Sequence, residues 1–255
     1  MDKGFKVLIP ARYGSTRLPG KPLLEIAGKP MIHHVVERAL ASAADEVVVA
    51  TDHQRILDAC AGLGVKALLT DPGHRSGTDR VAEAAEQCGW DEDTIIVNLQ
   101  GDEPCMPSRL IDQVAADLAA LDEVGIATLA YPIRDSAVLF DPHVVKVVTT
   151  AAGLALYFSR APIPWHRDEF LGKKATLPST VSFLRHIGLY AYRVSFLRRY
   201  VGFEPSPLEV AESLEQLRVL WHGEPIRVGL AVEEPGPGVD TGDDLARVAT
   251  LLAGR

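Results

Sequence analysis

Phe5-Lys-Val-Leu-Ile-Pro-Ala-Arg-Tyr-Gly-Ser-Thr-Arg-Leu-Pro-Gly-Lys-Pro22 is the most informative stretch of this 255-residue sequence. Its start, Phe5–Pro10, is a short apolar run closed by proline, the pattern of a buried strand. A loop rich in Gly, Pro and Arg runs from Ala11 to Pro22. A loop leaving the first strand of an open α/β sheet lies at the carboxyl edge, where such sheets bind ligands. Gly14 and Gly20 allow close backbone approach. Arg12, Arg17 and Lys21 bring three cations to an anion-sized space, which suits a polyphosphate better than a solvated basic turn. The spacing is not a P-loop: five residues separate the glycines, and Pro22 follows Lys21 where Ser or Thr is required. It is not GxGxxG either, so a dinucleotide oxidoreductase lacks its fingerprint.

Outward from this loop, strand and helix patterns alternate. Pro30–Ala41 carries apolar residues at helical spacing, Glu46–Ala50 reads as a strand, His53–Leu63 as a helix and Val65–Leu69 as a strand. Thr78–Cys88 reads as a helix with Thr78 at its N-cap, Thr94–Leu99 as a strand and Pro107–Leu121 as a helix. Repeated βα units imply a mostly parallel sheet with helices on both faces, a Rossmann-like α/β fold. The second half is richer in strands: Gly125–Ile133, Val144–Thr149, Leu154–Ser159 and Gly188–Tyr192. Helices are expected at Val194–Tyr200, Pro207–Trp221 and Thr241–Ala253, and an irregular, flexible loop at Arg167–Ser182. No linker or charge block divides the chain. The expectation is one domain over 1–255, with a nucleotide-binding core at about 1–130 and 225–255 and a strand-rich insertion at about 131–224.

Composition narrows the function classes. Hydrophobic residues make up 47% and charged residues 24%, the balance of an ordinary globular protein. A net charge of −8 argues against nucleic acid as a partner. No run of apolar residues is long enough to span a membrane, and Met1–Ser15 has no signal-peptide core, which points to a cytoplasmic location. Cys60, Cys88 and Cys105 lack zinc-ligand spacing and read as reduced thiols.

Eight blocks together carry a resemblance that no single one would. They are the first loop, Ala50-Thr-Asp-His53, Ser76-Gly-Thr-Asp-Arg80, Asn98-Leu-Gln-Gly-Asp-Glu-Pro104, Tyr157-Phe-Ser-Arg-Ala-Pro-Ile-Pro164, His186-Ile-Gly-Leu-Tyr-Ala-Tyr192, Leu214-Glu-Gln-Leu-Arg218 and Gly238-Val-Asp-Thr241. In this order they resemble the sugar nucleotidyltransferases, and most closely the 3-deoxy-D-manno-octulosonate (Kdo) cytidylyltransferases, or CMP-Kdo synthetases. The resemblance implies the nucleotide-diphospho-sugar transferase fold, a homodimer joined through the strand-rich part, and Mg²⁺-dependent transfer of CMP from CTP to Kdo for lipopolysaccharide assembly. Activation of a related acid such as 8-amino-Kdo, and a non-catalytic nucleotide-binding protein on the same fold, are the competing readings.

Residue roles divide between what spacing supports and what the resemblance adds. Asp102 follows a strand beside the phosphate loop, a fitting place for a carboxylate that holds Mg²⁺. Asp240 and Thr241 both suit the N-cap of the last helix; the resemblance instead makes Asp240 the holder of a second magnesium ion. Glu103 reads as a neighbour that is solvated or pairs locally. The resemblance assigns Arg12, Lys21 and Asp102 to catalysis. It assigns Ala11, Arg12, Gly14, Ser15, Lys21, Ser76, Arg80, Gln100 and Asp102 to the nucleotide. For Kdo it implies Gln100, Arg160, His186, Tyr190, Glu215 and Gln216. On spacing alone Arg160 could be a surface ion-pair residue, His186 a core histidine, Tyr190 a packing residue, and Glu215 and Gln216 a solvent-facing part of a helix.

Overall fold

The computed structural model describes residues 4–14, 18–74, 76–170 and 176–253. Along the first half run β1 (Phe5–Ala11), the short pair β2 (Glu25–Ile26) and β3 (Lys29–Pro30), α1 (Met31–Leu40), β4 (Glu46–Thr51), α2 (Gln54–Ala59), β5 (Lys66–Leu69), α3 (Gly77–Cys88), β6 (Ile95–Asn98) and α4 (Ser108–Ala119). The second half continues with β7 (Ile126–Pro132), α5 (Ser136–Phe140), β8 (Lys146–Thr149), β9 (Ala155–Ser159), β10 (Leu184–Arg193), α6 (Val194–Tyr200), α7 (Pro207–Glu212), α8 (Gln216–Trp221), β11 (Ile226–Leu230) and α9 (Gly242–Ala253).

The apolar run of β1 is continuous because both its faces are covered. Val7, Ile9 and Ala11 pack with Ile32 and Val35 of α1 and with Ile111 and Val114 of α4. Leu8 packs on the opposite face with Val81, Ala84 and Ala85 of α3. One sheet runs β11-β7-β10-β6-β1-β4-β5, and β8 and β9 extend it as a ribbon from the Leu184 end of β10. β6, β1, β4 and β5 are mutually parallel, as are β7 and β11; β10 is antiparallel to both β6 and β7. The chain winds from β1 toward β5, then returns to place β6 on the other side of β1. That reversal makes a crevice outside the carboxyl ends of β1 and β6, and the first loop and Leu99–Asp102 both leave from it.

Four elements differ from the sequence reading. The helix expected over 53–63 is short, with His53 as its N-cap. Ser76, not Thr78, caps α3: its hydroxyl accepts from the Asp79 amide while Asp79 accepts from the Ser76 amide. Ile226–Leu230 adds an edge strand that the sequence reading did not identify. The single helix expected over 207–221 is two, because Ser213 adopts φ 52°, ψ 51°. A left-handed backbone costs a non-glycine residue about 1–2 kcal/mol, and such strain concentrates at functional sites. Of the 167–182 loop, residues 171–175 lie outside the described residues, and the rest forms no helix or strand. None of the three cysteines forms a disulfide, and no described helix is long and apolar enough to cross a membrane.

Candidate active site

Two adjoining cavities open at the crevice. The first, about 430 Å³, is lined by Pro10, Ala11, Arg12, Gly14, Lys21, Pro22, Gly77, Gln100, Gly101 and Asp102. The second, about 310 Å³, shares Gly77 and Gln100 with it and continues along Thr78, Asn98, His186, Tyr190, Tyr192, Tyr200 and the Ser213–Gln216 turn. Gly77 opens α3, so that helix presents its electropositive end to both cavities. Gly101 must be glycine: a Cβ there would lie 2.9 Å from the Pro10 carbonyl oxygen. Gly20 holds a positive φ of 67°. Among the described residues, nothing lies within 4 Å of a Cβ built on Gly14, so its small size makes no tight contact there.

Charge is focused in the first cavity. Lys21 donates to Asp102 Oδ2 at 2.6 Å and to Asp240 Oδ1 at 3.2 Å, joining two carboxylates distant in the sequence. The helix cap does not consume Asp240. Thr241 caps α9, its hydroxyl accepting from the Asp244 amide, and Asp244 returns the bond to the Asp240 and Thr241 amides. Asp240 is thereby left with its side chain toward Lys21. Asp102 is tied in place by its carbonyl, which accepts from the Val239 amide at 2.9 Å. Glu103, expected from the sequence to be solvated or paired locally, is half-buried against Gly238. Burial first, then the charges of Asp102 and Asp240, push its carboxyl up to about 8 against the pull of Lys21.

The second cavity holds no lysine or arginine among its lining residues. Glu215 is held by the Thr78 hydroxyl at 3.1 Å, and burial raises its pKa. The break at Ser213 is what turns Glu215 and Gln216 inward; an unbroken helix would run past the cavity. Asn98 Oδ1 and the Tyr200 hydroxyl are buried with no hydrogen-bond partner among the described residues. Unpaired buried polar atoms are costly, so both are suited to meet hydroxyls of a bound molecule.

A cytidylyltransferase family model matches residues 6–226. The 3-deoxy-manno-octulosonate cytidylyltransferase of Pseudomonas fluorescens is 59% identical over 252 residues, covering 99% of each chain. That of Hahella chejuensis is 57% identical over 249 residues, with 98% of each covered. The chain belongs to the cytidylyltransferase family. A solved CMP:2-keto-3-deoxy-manno-octonic acid synthetase complexed with CTP superposes with a TM-score of 0.89 at 43% identity, over 98% of this chain and 99% of that one. The α/β fold expected from the sequence is thus that of a cytidylyltransferase.

Apart from Asp240, described above, the expected residues of this cytidylyltransferase are placed as follows. Ala11, Arg12, Gly14, Lys21, Gln100 and Asp102 line the first cavity; Gln100, His186, Tyr190, Glu215 and Gln216 line the second. Three sit elsewhere. The Ser76 hydroxyl serves the α3 cap. Arg80 is fully buried, held by Thr70 and by Asp52 Oδ2 at 3.3 Å. Arg160 donates to the carbonyls of Glu212 at 2.7 Å and Pro142 at 3.0 Å, and lines neither cavity. Ser15 lies outside the described residues. Sequence reasoning missed Asn98, although a polar residue closing the apolar strand Ile95–Asn98 is a usable signal. It also missed Asp52, whose Oδ1 accepts from the Tyr13 amide at 2.9 Å and so ties the first loop to the end of β4.

Two outcomes follow from this geometry. Asp52→Ala removes the anchor of Tyr13 and leaves Arg80 buried without its carboxylate. A loss of about 1.5–3 kcal/mol in urea unfolding is expected, the scale of one hydrogen bond to a charged group; an unchanged midpoint would show that the loop is held otherwise. His186 is the second case. Burial depresses its imidazole to about 3, below the ordinary unfolded value of about 6.5. The unfolded chain therefore binds the extra proton first, and stability falls as pH drops from about 6.5 toward 3. One such group supplies at most about 1.4 kcal/mol per pH unit. Melting temperatures of the parent and His186→Gln across that window should show a shallower decline in the variant.

Proposed function

We propose that this chain transfers CMP from CTP to the anomeric hydroxyl of Kdo, giving CMP-Kdo and pyrophosphate. The observation that carries the reading is the pair of joined cavities, one charged and one neutral with many hydrogen-bonding groups. The triphosphate belongs with Arg12 and Lys21, and the sugar hydroxyls with Asn98, His186, Tyr190 and Gln216. Because the second cavity lacks a lining cation, the sugar carboxylate belongs at its boundary, near Gln100, Arg12 and the α3 N-terminus. That position puts the anomeric carbon beside the α-phosphate. The hydroxyl oxygen bonds to the α-phosphorus as the bond to the leaving pyrophosphate breaks, and the hydroxyl proton leaves to solvent. No covalent intermediate on the protein is needed; positioning and charge stabilisation suffice.

The donor set at Lys21 fits Mg²⁺. Two carboxylates converge from separate segments, and no described group of three or more His, Cys, Asp or Glu side chains forms a metal cage. Mg²⁺ is held in this way, by one or two carboxylates with waters and substrate phosphates completing the shell. Asp102 and Asp240 would hold it, and bound there it offsets charge on the α-phosphate and the departing pyrophosphate. We further propose a cytoplasmic homodimer. Leu156 of β9 and Trp221 of α8, exposed apolar residues on packed elements of the strand-rich part, support that surface.

Pyrophosphate release with CTP, Mg²⁺ and a panel of acidic sugars tests the reading. Kdo should be the preferred acceptor. An 8-amino analogue belongs in the panel because its ammonium would meet Glu215; its preference over Kdo, or no release with any sugar, would refute the assignment.

A further inference from the structure

Thr128 stands at the centre of β7, fully buried. Opposite it β10 is irregular: the register steps from Leu129 paired with Ile187 to Thr128 paired with Tyr190, so Gly188 and Leu189 bulge. The bulge brings two carbonyl oxygens to one hydroxyl. Thr128 Oγ1 lies 2.9 Å from Ile187 O, 2.8 Å from Leu189 O and 3.0 Å from His186 Nε2.

A hydroxyl has one proton and otherwise accepts. Carbonyl oxygens only accept. If the proton pointed at Nε2, two carbonyl oxygens would face hydroxyl lone pairs at under 3 Å with no hydrogen between. The proton therefore goes to the carbonyls, and the remaining lone pair faces Nε2, which must bring its own hydrogen. A neutral imidazole carries only one ring hydrogen. Nδ1 is left bare, and it has no partner among the described residues. His186 lines the second cavity.

We infer that Thr128 is a positioning residue that locks His186 in the Nε2–H tautomer, so that the cavity is offered a hydrogen-bond acceptor, Nδ1, and takes a hydroxyl rather than a carboxylate there. A carboxylate at Nδ1 would meet lone pair with lone pair. The inference sharpens the sugar site of the proposed reaction, and its kinetic arm rests on Kdo being the acceptor; its spectroscopic arm does not.

The test begins on the full-length protein with ¹⁵N-labelled histidine and no substrate, the signals of His186 being identified by their loss in His186→Ala. A protonated Nε2 and a bare Nδ1 at neutral pH are expected; a protonated Nδ1 overturns the inference whatever the substrate proves to be. Thr128→Val keeps the shape and removes the hydroxyl. It should erase the tautomer preference and raise the apparent KM for Kdo roughly 2- to 10-fold, the range for one ordinary hydrogen bond, with CTP binding measured alone unchanged. Thr128→Ser should restore both. A valine variant that keeps the Nε2–H pattern and the parent KM would equally overturn it. If the valine variant fails to fold, the nitrogen pattern of the parent still decides.

Discussion

Asp102→Asn is expected to lose about 10²–10³ in turnover, the scale of removing one preorganised charge partner, while melting like the parent. The substitution keeps the shape of the side chain. It also leaves the backbone link that seats it, since the Asp102 carbonyl, not the carboxylate, accepts from Val239. What it removes is one of the two negative charges that Lys21 draws together. Asp240→Asn should behave likewise, because Thr241 and Asp244 maintain the helix start without the Asp240 side chain. Pyrophosphate release across a Mg²⁺ titration, with thermal melts alongside, measures both. Near-parent turnover at saturating Mg²⁺ would remove the residue concerned from the reaction. A lowered melting temperature with proportionate loss of activity would mark it as structural.

Lys21→Ala should cost roughly 2–4 kcal/mol in transition-state terms, again on the scale of one preorganised donor, and should weaken CTP binding too. Two effects add. The triphosphate loses a cation, and Asp102 and Asp240 lose the ammonium that lies between them. Lys21→Arg should recover only part of the activity, because a planar fork cannot reproduce a point charge shared by two carboxylates at 2.6 and 3.2 Å. Steady-state kinetics equal to the parent's for Lys21→Ala would make the first loop a structural turn and undo the central inference.

The parts of this site that were legible in the sequence are those set by local chemistry. An apolar run closed by Pro10 and followed by glycines and cations announces a strand and an anion loop, because burial period and charge both act over a few residues. The alternation of strand and helix through residue 121 was readable for the same reason. Arg80 and Arg160 were not. A cation matching a family block looks the same in sequence whether it faces a ligand or is drawn into the fold by Asp52 or by the Glu212 carbonyl. The break at Ser213 was hidden because helical periodicity continues across it. Only the packing of Leu214 and Leu217 into the core shows that the chain must turn there. Asp240 was ambiguous between cap and ligand. The ambiguity resolves at Asp244, three residues beyond Thr241, a capping-box spacing.

The manner in which Asp240 is held ties the proposed metal site to a distant segment of the chain. Asp240 is placed by the start of α9, the last helix of the fold. That helix is secured by Val248 and Leu245 against Ile26 and Met31, at the opposite end of the sequence. The sheet and the neutral cavity are built from residues before 239, whereas Leu18 of the first loop packs against the same α9 cluster. The proposed metal site therefore depends on a contact between segments more than 200 residues apart: loosening Val248 or Leu245 from Ile26 and Met31 should withdraw Asp240 from Lys21 while the sheet stays whole.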